Sequence, residues 1–421
     1  MNSEEIFGKL NISEKTINLV NECESIVKEN FAKIDAISEY NEYKVIAAFQ
    51  KNQVSEACLV ETTGYGYNDI GRDTLECVYA DVFKTDEALV RSQIVCGTHA
   101  LFIAASSNTR PGDVIYSPCG MPYDTFQTVL GLNGAEGSLK DYNVDFAYTP
   151  LKADGSFDFD RIKAEIPEKT KLVEIQRSRG YEARPSYSVD ELGELIEFIR
   201  KLRPDVTIMV DNCYGEFTET KEPSEVGADM VVGSLIKNPG GGIAPVGGYI
   251  VGKERCVELA AARLTAPGLK RELGPSLGNN RPLFMGLFQA PIVTAAAVKG
   301  AVLLSCVYEK LGYNVSPRYN ETRHDIIQLI DLKSREKLIA FCQGIQKASP
   351  VDSMFMPEPD AMPGYDCDII MAAGTFTSGS SIELSADGPL RDPYRVFYQG
   401  GINYPHAKLG VMKSVENLMN L

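Results

Sequence analysis

The chain reads as an α/β protein built on a mainly parallel sheet, followed by a smaller α+β domain at its carboxyl end. Three observations predict this. Short apolar runs alternate with helical patterns between about residues 92 and 235, the pattern of repeated β-α-β units. Several runs end in polar or glycine-rich turns, where open α/β sheets bind ligands. At 421 residues the chain exceeds one typical core, so several domains are expected: a helical arm over 1–60, a large domain over 61–300 and a small domain over 301–421.

Composition narrows the function. A formal net charge of −15 speaks against nucleic acid or anionic membrane as a partner, since both need a basic face. A small-molecule substrate is the better expectation. The ten cysteines form no CxxC pair and no amino-terminal apolar run has the signal-peptide pattern, which predicts a cytoplasmic setting. No segment reads as long and apolar enough for a membrane span. His99, His324 and His406 are far apart in sequence, so no metal site is expected.

The elements follow in order. Ile17, Val20, Cys23 and Val27 recur at helical spacing, which predicts a helical arm packing on another part of the assembly. Residues 62–72 are rich in turn residues and aromatics but lack the GxGxxG spacing of a dinucleotide loop. A helix is expected over 74–90, then a strand from Ser92 that turns into an apolar helix running through Ser106. Gly97 and Thr98 would open that helix, where backbone N–H groups favour a phosphate. A strand over 113–118 leads to Tyr123, placed near the same rim and able to stack on a flat ring. Strands over 145–148 and 171–179, with a helix near 160–165, continue the alternation.

The decisive pair comes next. Val206-Thr207-Ile208-Met209-Val210 predicts a buried strand that delivers Asp211 to the rim. A turn over 223–227 and a strand from Ala228 then lead to Ser234-Leu235-Ile236-Lys237-Asn238-Pro239-Gly240-Gly241-Gly242. One β-α-β unit thus brings Asp211 and Lys237 to one sheet edge. A lysine does covalent work on a carbonyl only if held in place and able to lose its proton, as a desolvated strand end near other cations allows. Alone, a loop lysine is usually solvated, and Asp211 alone reads equally as a cap or ion-pair partner. Together they match the needs of pyridoxal 5'-phosphate: a Schiff-base lysine and a carboxylate for the pyridinium nitrogen. Ser234 could offer its hydroxyl to the phosphate. A long apolar helix over 291–310 leads to the last domain, which holds Ser380-Ser381-Ile382-Glu383-Leu384-Ser385 and Pro389-Leu390-Arg391-Asp392-Pro393-Tyr394-Arg395. No internal repeat is visible.

Gly64-Tyr65-Gly66-Tyr67, Ile175-Gln176-Arg177-Ser178-Arg179-Gly180-Tyr181, the segment from Gly233 to Gly242, and Tyr398-Gln399-Gly400-Gly401 together resemble the cysteine and methionine metabolism enzymes that use pyridoxal phosphate. These are fold type I, aspartate aminotransferase-like proteins. More narrowly, the motifs resemble the methionine gamma-lyase-like branch named after aluminium resistance, from about residue 60 to the end. The resemblance implies a mostly parallel, seven-stranded type of sheet in the large domain. It implies Lys237 as the Schiff-base lysine and base at Cα, Asp211 as the pyridinium partner, and Tyr123 as the stacking ring and acid for a departing sulfur. Gly97, Thr98 and Ser234 become phosphate ligands, and Gln176 and Arg177 could reach the cofactor's phenolic oxygen, with a satisfied loop as the alternative.

Tyr67 and Arg72 look like the residues that a neighbouring subunit lends to the phosphate, which implies a homodimer with shared sites, pairing into a homotetramer. One arginine of the last domain should hold the substrate carboxylate, because a guanidinium fork pairs with both oxygens; Arg391 is chosen over Arg395, with a surface ion pair as the alternative for either. The implied reaction is carbon–sulfur elimination from a sulfur-containing amino acid, of cystathionine β-lyase or methionine γ-lyase type, giving thiol, ammonia and a 2-oxo acid. Aminotransfer, racemisation or aldol cleavage at the same carbon are alternatives. A non-catalytic protein that binds the cofactor or a metal and is linked to aluminium resistance is a further one, although the acidic residues form no dense ligand cluster. Two departures stand out: the usual Ser-x-Thr-Lys becomes Ser234-Leu235-Ile236-Lys237, and the usual Gly-Met becomes Gly97-Thr98. Thr98 could replace the lost hydroxyl.

Overall fold

The computed structural model describes residues 3–361 and 367–421. The chain forms two bodies, one of Tyr40–Ala290 and one of Met1–Glu39 with Pro291–Leu421.

The first three helices are α1 (Ser3–Lys9), α2 (Glu14–Ile26) and α3 (Lys28–Lys51). They do not form a separate arm. Glu24 of α2 accepts hydrogen bonds from the Tyr404 hydroxyl at 2.6 Å and the Lys408 ammonium at 2.7 Å. Glu416 accepts the Ser13 N–H at 2.9 Å. The amino-terminal helices therefore belong to the body that holds the carboxyl end of the same chain. The far half of α3 belongs instead to the Tyr40–Ala290 body, where Val45 and Ala48 join a core with Leu283, Phe284 and Leu287. The boundaries expected at 61 and 301 thus fall at 40 and 291, because α3 and a later helix each run through a boundary.

The large body is built on seven strands: β1 (Glu87–Arg91), β2 (Val114–Ser117), β3 (Asp145–Tyr148), β4 (Thr170–Gln176), β5 (Thr207–Asp211), β6 (Met230–Ser234) and β7 (Gly248–Gly252). Their order is β1-β7-β6-β5-β4-β2-β3. The strands from β6 to β3 run parallel, and β7 is antiparallel to both β1 and β6. The helices of this body include α4 (Ile70–Val82), α5 (Gly97–Asn108), α6 (Asp124–Leu130), α7 (Phe159–Glu165), α8 (Val189–Leu202) and α9 (Glu254–Leu264).

Successive side chains of a strand face opposite ways. Val173, Ile175, Ile208, Val210 and Val231 accordingly share one core with α4 and α8, including Leu75, Val78, Leu192 and Leu195. Leu172, Met209, Met230, Val232 and Ile250 share the other with α5 and α9, including Leu101, Ala104, Val257 and Ala261. Burial on both faces explains why these strands read as continuous apolar runs.

The structure corrects the sequence reading between residues 74 and 96. Helix α4 stops at Val82, and Lys84 takes a left-handed φ of 53°. Residues 87–90, expected to be helical, lie in β1, which pairs with β7 from Glu87↔Gly252 to Arg91↔Gly248. The strand expected from Ser92 therefore lies earlier, and residues 92–96 form the turn into α5. Pairing in the sheet outweighs the local helical pattern here.

Helix α10 spans Asn280–Lys310 and starts earlier than expected. It is long and apolar enough to cross a membrane, contrary to the sequence reading, but 89% of its most apolar window is buried inside the protein. It is a core helix.

The second body carries an antiparallel five-stranded sheet of β8 (Asn314–Ser316), β9 (Gln328–Asp331), β10 (Ile369–Ala373), β11 (Ser385–Pro389) and β12 (Arg395–Gln399). Its order is β10-β11-β12-β9-β8. Helices α11 (Arg335–Ala348) and α12 (Tyr404–Met419) complete it.

Candidate active site

Asp211 ends β5 and Ser234 ends β6, and the two strands are parallel neighbours with Asp211 opposite Val232. The chain leaves β6 through Leu235 and Ile236 and places Lys237 before a short turn over Asn238–Gly240. That turn requires glycine: a Cβ on Gly240 would lie 1.6 Å from the Leu235 carbonyl oxygen. Lys237 is therefore fixed at the sheet edge by backbone that admits no side chain.

The half-buried Lys237 Nζ lies 3.9 Å from the centre of the Tyr214 ring. Tyr214 takes a left-handed φ of 74°, uncommon for a bulky residue and typical of functional turns. Desolvation works against the Lys237 ammonium, but Cys213, Tyr214, Asp211 and Tyr123 around it hold its pKa well above the usual lysine range. The surroundings are acidic, where the sequence reading expected cations. Asp211 is 4% exposed. Burial raises its pKa, against the pull of Lys237, the Cys213 N–H and Arg184. The Cys213 N–H donates to Asp211 Oδ1 at 3.0 Å.

Tyr123 stands opposite, just before α6. Its hydroxyl shares a hydrogen bond of 3.1 Å with Thr98 Oγ1, which in turn shares one of 2.9 Å with Thr125. Its backbone N–H donates to Gln176 Oε1 at 3.0 Å. Burial, with Asp211 and Cys213 nearby, raises the Tyr123 pKa, so the phenol keeps its proton. Helix α5 starts at Gly97 and is capped by Cys96, whose Sγ accepts the His99 N–H at 3.4 Å. A Cβ on Gly97 would meet Ser234 Cβ at 3.3 Å and Cys213 Sγ at 3.4 Å. Glycine there lets the open N–H groups of α5 approach the β6 edge.

Lys237, Asp211, Ser234, Gly97, Thr98, Tyr123 and Gln176 thus form one rim. Gln176 enters it by holding Tyr123. The other expected residues lie elsewhere. Arg177, one position on, points to the opposite face and is fully buried. Its guanidinium donates to Asn212 Oδ1 at 2.8 Å, the Gly215 carbonyl at 3.0 Å and Glu219 Oε1 at 2.6 Å. That geometry makes it a brace for the turn after Asp211 and not a cofactor ligand. Arg72 is 4% exposed, and its Nη1 donates to the carbonyls of Gly66 at 2.7 Å and Gly274 at 3.0 Å. Tyr67 is 57% exposed on the same loop. Arg391 is exposed in the other body, between β11 and β12. Arg395 is held by Asp331 at 2.7 Å.

The sequence reading missed Cys213, Tyr214, Arg184 and the buried acids Glu174 and Glu216. Glu174 was visible as a charged residue inside an apolar strand. The position of Arg184 depends on a loop and had no sequence signal. Among the described residues, no group of three or more His, Cys, Asp or Glu is arranged to hold a metal.

The donor set suits a flat, anionic aldehyde: an amine, a buried carboxylate, a half-buried phenol ring and a helix start stripped of Cβ. Comparison with known proteins agrees. The family model for methionine gamma-lyase matches residues 16–419. The chain belongs to the methionine gamma-lyase family. An uncharacterized Bacillus subtilis protein, YnbB, is 46% identical over 416 residues, 98% of this chain and 99% of that protein. A Clostridium acetobutylicum structure, provisionally described as a cystathionine beta-lyase involved in aluminium resistance, is 47% identical with a TM-score of 0.95, over 99% of this chain and 98% of that one. A Clostridium novyi structure described as a carbon–sulfur lyase involved in aluminium resistance is 44% identical with a TM-score of 0.94, over 99% of both chains. The two-body architecture is that of pyridoxal-phosphate enzymes of fold type I. Membership of the methionine gamma-lyase family implies pyridoxal 5'-phosphate as cofactor, and the rim residues fit it.

Proposed function

We propose that the protein is a pyridoxal-phosphate-dependent carbon–sulfur lyase that eliminates a thiol from a sulfur-containing amino acid, of cystathionine β-lyase or methionine γ-lyase type. The observation that carries the reading is the placement of Lys237 and Asp211 at adjacent strand ends, with Tyr123 and the Gly97 helix start at the same rim. Lys237 would hold the cofactor covalently, Asp211 its ring nitrogen, Tyr123 its ring face, and Gly97, Thr98 and Ser234 its phosphate. Bound there, the cofactor supplies an electron sink for charge at the substrate's Cα. Lys237 Nζ moves the proton at Cα, and the Tyr123 hydroxyl, protonated by burial, donates to the departing sulfur. Arg391 is the proposed partner of the substrate carboxylate.

The proposal includes a homodimer. Val60, Tyr65, Tyr67 and Ile70 are 57–69% exposed on one loop region, an apolar surface suited to a second copy. Tyr67 would complete the partner's phosphate site.

The test is an absorbance spectrum of the purified protein, then addition of L-cystathionine, L-methionine and L-cysteine with detection of 2-oxo acid, and light scattering for the assembly. A near-visible band lost on borohydride reduction, with 2-oxo acid from one substrate, supports the lyase. A band with amino-group transfer to an added 2-oxo acid would replace it with an aminotransferase, and absence of any band after adding the cofactor would remove both.

A further inference from the structure

A second buried carboxyl lies beside Asp211. Glu174 sits on β4 two residues before Gln176, and its partner on β5 is Met209, two before Asp211. The alternation of the strands puts Glu174, Gln176 and Asp211 on one face of the sheet. Glu174 is 1% exposed, and its Oε2 has no hydrogen-bond partner among the described residues. Four groups face it: Asp211 from β5, Ser117 from the end of β2, the Cys119 thiol just beyond, and Arg184 from the loop after β4.

Arg184 is largely committed to backbone. Its Nη2 donates to the carbonyls of Gln176 at 2.9 Å and Ser178 at 2.5 Å, and its Nη1 to that of Pro185 at 3.0 Å. Two carboxyls buried on one face of adjacent strands cannot both ionise at low cost, which favours one of them keeping its proton. The partners decide where it rests. Asp211 has the Lys237 ammonium and the Cys213 N–H, whereas the groups that favour ionised Glu174 are the backbone-committed Arg184 and the Ser117 hydroxyl.

We propose that Glu174 is a positioning residue that holds the proton of the Glu174–Asp211 pair and so keeps Asp211 the anion that meets the cofactor's ring nitrogen. The last clause rests on the function proposed above; the proton-holding does not. Burial and the neighbouring Asp211 push the Glu174 pKa up to about 8, which agrees with this assignment.

Two measurements test it. In the cofactor-free protein, denaturant unfolding of wild type and E174Q is compared from about pH 5.5 to pH 9. Between about pH 5.5 and pH 7.5 wild type is expected to release about one more proton on unfolding than E174Q, a difference that closes above the Glu174 transition. In the cofactor-loaded protein, the absorbance of wild type should show a transition near pH 8 that E174Q lacks while still binding the cofactor. Equal proton release in both proteins overturns the proposal. So does a transition in E174Q with the midpoint and amplitude of wild type. Should E174Q fail to fold, D211N serves in the cofactor-free arm: loss of the neighbouring charge should move the Glu174 transition to lower pH, and an unmoved transition would overturn the pairing. If neither protein takes up the cofactor but the proton difference is found, the proposed function falls and the carboxyl pair stands.

Discussion

Gln176 Oε1 accepts the backbone N–H of Tyr123 at 3.0 Å. The end of β4 thereby fixes the start of α6 and aims the Tyr123 ring at the Lys237 edge. Gln176→Leu should keep the fold at a cost of about 1 kcal/mol for the lost bond. Turnover should fall roughly tenfold through misplacement of Tyr123. Steady-state kinetics beside a urea titration separates the two effects.

Lys237→Ala should abolish the borohydride-sensitive absorption and lower turnover by more than about 10³-fold. In wild type the acidic neighbours keep the free amine charged, and only the neutral form attacks a carbonyl. Uptake of cofactor by the cofactor-free protein should therefore quicken as pH rises, approaching tenfold per pH unit. Stopped-flow absorbance at several pH values reads this directly, and a flat profile would contradict the charged amine.

Gly97→Ala brings a Cβ to 3.3 Å from Ser234 Cβ and 3.4 Å from Cys213 Sγ. The rim must open slightly where the phosphate would seat. Cofactor affinity should drop roughly tenfold, equivalent to about 1.4 kcal/mol, with little change in the thermal midpoint of the cofactor-free protein. Fluorescence titration with the cofactor measures it.

Arg177→Ala should act on stability. The substitution removes the guanidinium that lies 2.6 Å from Glu219 and 3.8 Å from Glu222. Breaking a buried pair in this way costs about 3 to 5 kcal/mol, visible in the denaturation midpoint. Folded protein should still take up cofactor, which a phenolate ligand could not so easily lose.

Glu216 supplies a pH prediction. It is 0% exposed and accepts the Tyr249 hydroxyl at 2.7 Å. Burial raises its pKa from an ordinary 4.5 to about 8. The folded state thus keeps a proton that the unfolded chain gives up, so this contribution is full below the unfolded pKa and is lost as pH rises through about 8. E216Q should flatten the decline in stability of the cofactor-free protein between about pH 5 and pH 8. Denaturation midpoints at the two ends test it.

The Asp211 and Lys237 placement was legible because strand ends in an alternating α/β chain meet at one rim, and the glycines after Lys237 marked a turn. The split between Gln176 and Arg177 was also written in the period-two rule, since neighbours on a strand face opposite ways. Applied there, the rule would have paired Glu174 with Gln176 and sent Arg177 to the far core. Strand β1 was hidden because its pairing with β7 joins segments far apart in sequence, and no local pattern carries that information. The links from α2 to Tyr404 and Lys408 escaped for the same reason.

Those links also set an order of assembly. A ribosome makes α2 before its partners on α12, with the whole Tyr40–Ala290 body in between. Val20 and Cys23, both 0% exposed in the finished protein, have to wait as open apolar surface while later segments emerge and fold. Until α12 has been made, the face of α2 that meets it stays open to chaperones and proteases.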